Sequence, residues 1–137
     1  MRVVLDTNIL VSALLVEQSP PAKLITPWRQ GRFTLLTAAP QLDELLRVTR
    51  HPKIRARLTP ALAGRLINEL RHLAVVVDHL ALAEVSPDPG DDYLLAIARG
   101  GSAEYLVTCD KRDLLSLAEH RGTRIMSVRT FLDLTRP

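Results

Sequence analysis

The chain carries a single cysteine, Cys109. One thiol excludes an intrachain disulfide and a zinc site made of cysteine alone. The four histidines, His51, His72, His79 and His120, show no His-x-x-x-His spacing, so a helical zinc motif is excluded too. Aromatic residues make up 4% of the chain, which leaves few flat platforms for stacking bases. No glycine-rich loop is present to cradle a nucleotide, and no apolar run is long enough to span a membrane. The first apolar run is broken at once by Asp6, so no signal peptide is expected and the cytoplasm is the default location. Lysine is scarce: the 18 basic residues comprise 15 Arg and three Lys. Arginine grips phosphate bidentately better than lysine does, but a GC-rich coding bias gives the same count, and composition alone favours the bias.

What is present is apolar and regular. The 137 residues are 47% apolar, which predicts one globular domain over 1–137 with a real core. Net charge is +3, a mild excess. Val3-Val4-Leu5 reads as a short strand apolar on both faces, as in the middle of a parallel sheet. Asp6 follows at its carboxyl end, and Asn8 is placed to cap a helix beginning at Ile9. Ligands of open α/β sheets bind at such strand ends, where strand order reverses. A carboxylate there, just past buried apolar residues, calls for a cation.

The rest of the chain alternates. Helices are predicted over Ala22 to Gln30 (closed by Gly31), from Pro40 to Pro52, from Thr59-Pro60 through Leu62, Leu66, Leu70 and Leu73, over Asp92 to Arg99, over Asp110 to Glu119, and over Val128 to Leu134 with Ser127 as cap. Strands are predicted at Phe33 to Leu36, Val75 to Val77, Tyr105 to Thr108 and Arg124 to Met126, and Ser86 to Gly90 reads as a loop. With no internal repeat and no linker, the alternation predicts α/β class: a single-domain three-layer α/β/α fold around a short central parallel sheet.

The acids fall near the strand ends. Asp110 repeats the placement of Asp6 beyond the Tyr105 to Thr108 strand, although a helix cap completed by Asp113 also explains it. If the two strands are neighbours, their backbones stand about 5 Å apart and the carboxylates converge. Capping accounts well for Asp88 and Asp91 in Asp88-Pro89-Gly90-Asp91, and leaves Asp92 over. Spacing does not choose between Asp43 and Glu44, and a solvated helix face explains both. Jointly, several carboxylates at the ends of one sheet repel each other unless hard cations, Mg²⁺ or Mn²⁺, join them. Two such ions can activate water against a phosphodiester. Cys109 beside Asp110 reads as a small buried thiol rather than a nucleophile. A haloacid-dehalogenase-type phosphatase would need an acid where Asn8 stands.

Four segments together resemble the PIN domain, a metal-dependent ribonuclease fold. They are Leu5-Asp6-Thr7-Asn8-Ile9-Leu10-Val11-Ser12, Leu42-Asp43-Glu44-Leu45-Leu46-Arg47-Val48, Asp88-Pro89-Gly90-Asp91-Asp92-Tyr93-Leu94-Leu95-Ala96, and Tyr105-Leu106-Val107-Thr108-Cys109-Asp110-Lys111-Arg112-Asp113-Leu114-Leu115. Each is short, but the four occur in order and the resemblance covers essentially the whole chain. It implies that Asp6, Glu44, Asp92 and Asp110 are catalytic metal-binding acids, with Asp113 as a fifth candidate and Asn8 and Thr108 in support. Glu44 and Asp92 would position ions, Asp6 would bridge them, and Asp110 would complete the site or orient water. Gly90 stands where the family often has another polar residue, and Cys109 replaces a commoner small one.

The chain further resembles the toxin components of bacterial toxin–antitoxin pairs, which implies an RNA substrate, a protein antitoxin and a homodimer. A catalytically silent RNA- or partner-binding module and a Mg²⁺-dependent phosphatase are the competing expectations. After the Glu44 helix comes a run of bases with no acid, Arg47, Arg50, His51, Lys53, Arg55 and Arg57. Bases also suit a solvated helix end. The functional expectation is that Arg47, Arg50, Lys53 and Arg55 form a phosphate track for RNA.

Overall fold

The computed structural model describes residues 1–78, 80, 92–109 and 112–135. Strand β1 (Arg2–Leu5) leads into helix α1 (Thr7–Leu15), then α2 (Ala22–Arg29), β2 (Thr34–Thr37) and α3 (Ala39–Arg50). A short α4 (Pro52–Arg55), α5 (Pro60–Leu73) and β3 (Val75–Val76) follow. The second half contains α6 (Asp92–Gly100), β4 (Tyr105–Thr108), α7 (Arg112–Leu115), β5 (Glu119–His120), β6 (Thr123–Ser127) and α8 (Val128–Thr135). Among the described residues these strands form one sheet in the order β3-β2-β1-β4-β6-β5, parallel except for β5.

Strand β1 sits in the middle because both of its faces are apolar. Val3 and Leu5 point into one core with Ile9, Leu10, Leu24, Trp28, Leu45, Leu70 and Phe131, contributed by α1, α2, α3, α5 and α8. Val4 points the other way, with Leu36, Leu94, Leu95, Ile97 and Leu106 beneath α6. Two cores on the two faces of one sheet make the three-layer α/β/α arrangement expected from the alternation. Strand β1 pairs with β2 on one side and β4 on the other, so the chain winds outward in both directions from the β1–β4 seam. That seam is the topological switch point, where such sheets bind ligands. Among the described residues no helix is long and apolar enough to cross a membrane.

Several expectations are corrected. Asn8 does not cap α1: Asp6 does, its side chain accepting the Asn8 N–H, and Asn8 is an exposed residue of the first turn. Pro52 ends the α3 pattern as expected but opens α4, where it stands at the first helical position and needs no N–H partner. The core stripe of α5 is Ala63, Leu66, Ile67 and Leu70, while Leu62 and Leu73 are exposed. The helix expected to reach Glu119 is only α7. Ala118, at φ 56°, breaks it, and Glu119–His120 turns into a strand. Arg121 (φ 50°) and Gly122 (φ 89°) then make a two-residue hairpin to β6, with the paired positive angles of a type I′ turn. The loop expected at Ser86 to Gly90, with Asp88 and Asp91, lies outside the described residues. So do the start of the expected Asp110 helix and Asp110 itself.

Candidate active site

The seam brings Asp6 and Thr108 together. Leu5 registers with Val107, and the Asp6 N–H continues the ladder by donating to the Val107 carbonyl at 2.9 Å. Asp6 therefore stands beside Thr108, and the Thr108 hydroxyl donates to Asp6 Oδ2 at 2.9 Å. Oδ1 accepts the Asn8 N–H at 3.1 Å. The carboxylate is 1% exposed and Thr108 is fully buried. Hydrogen bonds to the charged form, together with the amino end of α1, make such a seat tolerable for a carboxylate.

A second network, invisible to motif reading, ties the neighbouring elements to this point. Gln41, in the first turn of α3, is 1% exposed. Its Nε2 donates to the Leu5 carbonyl at 2.7 Å and weakly to the Thr7 hydroxyl at 3.4 Å. Its Oε1 accepts from the Thr37 hydroxyl, at the end of β2, at 2.7 Å. Thr7 in turn shares a 2.7 Å hydrogen bond with the Tyr93 hydroxyl on α6. One buried amide thus links β1, β2, α1 and α3, and Thr7 passes the link to α6. The signal was available in the sequence: Gln41 lies four residues before Leu45, on the apolar stripe of its helix, where a polar residue needs partners.

The acids take their places around this network. Glu44 lies three residues beyond Gln41. It is half-buried while Asp43 is exposed, so of the two it is Glu44 that packs against the fold. It forms a hydrogen-bonded ion pair with Arg47 one turn on. That hydrogen bond and the Glu44 charge hold the Arg47 guanidinium above its usual pKa, with a lesser contribution from nearby Tyr93. Asp92 is half-buried in the first turn of α6, next to Tyr93, where the helix dipole favours an acid. Asp110 and the side chain of Asp113 lie outside what the structure describes. Among the described residues no three of His, Cys, Asp and Glu lie close enough to hold one ion.

Cys109 is half-buried at the edge of the larger core. Beside it a cavity of about 370 Å³, lined by Pro20, Pro21, Thr108, Cys109, Ser127, Val128 and Arg129, opens along the strand ends. A larger cavity of about 540 Å³ lies on the outer side of α5 and includes none of the predicted acids. The former is lined by Thr108, the partner of Asp6, and the latter by none of the candidate residues, so size is no guide to the candidate site. Of the basic run, Arg47 is bound to Glu44, and Arg50, Lys53 and Arg55 are exposed along the end of α3 and through α4.

A carboxylate buried at the switch point of a mostly parallel α/β sheet, and hydrogen-bonded by the Thr108 hydroxyl, marks this end of the sheet as the candidate site. The family is shown by comparison: the chain belongs to the PIN-domain family, whose model matches residues 2–112. The match takes in Asp6, Glu44, Asp92 and Asp110 and stops one residue short of Asp113. No curated protein matches the chain. PIN domains are generally nucleases, and they typically use divalent metal ions.

Proposed function

We propose that the protein is a Mg²⁺- or Mn²⁺-dependent endoribonuclease that hydrolyses RNA phosphodiester bonds, and that it acts as the toxin of a toxin–antitoxin pair. The observation that carries the nuclease reading is the seat of Asp6. A carboxylate stands buried at the switch point, with both oxygens oriented by Thr108 and the Asn8 N–H. The donor set suits a hard cation, because carboxylates and a hydroxyl offer only oxygen. Asp6, Glu44, Asp92 and Asp110 would hold it, with Asp113 as a further ligand. When bound, such an ion would neutralise the acids that hold it and would supply water acidification and charge stabilisation at the phosphodiester.

The chain's own residues do the positioning. Thr108 fixes the rotamer of Asp6 by donating to Oδ2. Gln41 holds the first turn of α3, and so Glu44, against the end of β1. The Thr7–Tyr93 bond holds the first turn of α6, and so Asp92, against α1. Arg47 orients Glu44 through their ion pair until substrate or metal competes for it. Partnership with a protein antitoxin and assembly as a homodimer follow from the toxin reading and belong to the same proposal.

The test is Asp6→Asn, assayed with a short single-stranded RNA and its DNA counterpart in Mg²⁺ or Mn²⁺. Asparagine caps a helix about as well as aspartate, so the fold should persist while RNA cleavage is lost. Unimpaired cleavage by this variant would remove Asp6 from the chemistry and overturn the assignment. Cleavage of the DNA alone would overturn the substrate class.

A further inference from the structure

Beyond the acids, one cavity is suited to a nucleotide. It lies between α3, α4 and α5, has a volume of about 410 Å³, and is floored by Leu46, Ala63, Gly64 and Ile67 with Arg50 and Arg55 at its rim. Ala63 and Ile67 are buried, and both arginines are exposed. The hydroxyl of Thr49, which also lines it, is already donated to the Leu45 carbonyl at 2.6 Å, so the floor is effectively apolar. Among the described residues neither arginine makes an ion pair or a side-chain hydrogen bond.

Charge points to an anionic occupant. From Leu45 to Asn68 the chain has six formal cations, Arg47, Arg50, Lys53, Arg55, Arg57 and Arg65, and no acid. The chain as a whole is +3, so everything outside this segment sums to −3. Counted whole, with Asp43, Glu44, Glu69 and Arg71 included, the stretch from α3 to α5 (Ala39–Leu73) carries +4, so the positive charge of the protein is gathered on the elements that surround this cavity.

Gly64 gives an independent indication. It sits in the middle of α5, where glycine is about 1 kcal/mol less favourable than alanine. A Cβ at that position would meet nothing within 4 Å. Internal packing therefore does not require the glycine, whereas a ligand lying against the helix would.

We infer that this cavity binds one nucleotide of a single-stranded RNA, its base on the Leu46–Ala63–Gly64–Ile67 floor and its flanking phosphates on Arg50 and Arg55. The inference rests on the nuclease reading for its choice of RNA. Guanidinium planes can stack on a base as well as grip phosphate, which suits a chain poor in aromatic residues. Arg50 lies six residues beyond Glu44, roughly 9 Å along α3. The pocket would hold RNA beside the acids without taking part in the chemistry. Arg47 is not part of it, because Glu44 holds that guanidinium.

The test measures binding of a fluorescein-labelled single-stranded oligoribonucleotide by anisotropy in EDTA, over a range of salt. Arg50→Ala/Arg55→Ala should weaken binding by roughly a hundredfold, about tenfold per charged contact. The log–log salt slope should become shallower by roughly 1.4, for two phosphates of a single strand. Gly64→Leu keeps every charge and fills the pocket. It should weaken binding by about tenfold at an unchanged salt slope, with a melting midpoint at or above the parent's. Parental affinity in Gly64→Leu would overturn the pocket and leave only diffuse surface charge. Parental affinity in the double arginine variant would overturn the nucleotide assignment and leave the cavity to an acidic protein segment. Cleavage in Mg²⁺ or Mn²⁺ is measured separately: a chain that binds in this pattern but never cuts refutes the nuclease reading and keeps the pocket, and the reverse result does the opposite.

Discussion

Replacing Gln41 by leucine should lower the melting midpoint of the protein by roughly 8–24 °C. The side chain is 1% exposed and makes two short hydrogen bonds to buried partners, the Leu5 carbonyl and the Thr37 hydroxyl. Leucine is close to glutamine in volume, so the change leaves little cavity and chiefly removes these bonds. Each buried partner left unpaired costs about 1–3 kcal/mol, or about 2–6 kcal/mol together. For a domain of this size each kcal/mol moves the midpoint by roughly 4 °C. Differential scanning calorimetry without metal reads the shift directly. Thr37→Val serves as the internal comparison: it strands only the Gln41 oxygen and should cost less than the full change. A midpoint within about 4 °C of the parent for Gln41→Leu would mean that apolar packing alone seats α3, and the positioning role given to this network would fall.

Three further outcomes are expected. Millimolar Mg²⁺ or Mn²⁺ should raise the melting midpoint relative to EDTA, by about 2.7 kcal/mol at a hundredfold excess over the dissociation constant of one site; coincident melts would count against a metal site. Thr108→Val removes a hydroxyl that donates to a buried carboxylate, and should cost about 1.5–3 kcal/mol by urea unfolding while impairing cleavage through a misplaced Asp6. Arg47→Ala removes an exposed guanidinium from half-buried Glu44 and should leave the melting midpoint unchanged, so any loss of cleavage at equal stability reports on how Glu44 is held.

The sequence was most legible where one residue type left the chain a single choice. The Tyr105–Thr108 strand was expected with the bounds it has, because an apolar run between glycine and acid signals admits little else. The place of Asp6 at the end of β1 followed from the same kind of pattern, whereas the β1–β4 adjacency stood only as a condition until the pairing showed it. The core face of α5 was not legible. Ala61, Leu62, Ala63, Leu66, Ile67, Leu70 and Leu73 spread apolar surface around much of the helix, and only contact with α3 decides that Ala63 and Ile67 face inward. Strand β5 was missed because Glu119 and His120 have no strand character of their own. Their pairing is imposed by Arg121 adopting a positive φ beside Gly122. At the site, carboxylates drew attention and Gln41, Thr37, Thr7 and Tyr93 did not. Neutral polar residues reveal their role only when burial shows that each needs a partner.

The central strand is buried on both faces, with Val3, Val4 and Leu5 all fully enclosed. Sliding β1 by one residue would exchange one apolar side chain for another, so the alternation of inside and outside that fixes half-exposed strands gives little guidance here. What distinguishes the true alignment is its polar rim: Thr37, Asp6, Thr108 and Ser127, at the ends of four adjacent strands, and Gln41 fastened to the Leu5 carbonyl. These groups act as pins for strand alignment, and the same geometry that aims Asp6 tells β1 where to stop. Losing both the Asp6–Thr108 bond and the Gln41 bond would therefore free the sheet to pair one residue out of step.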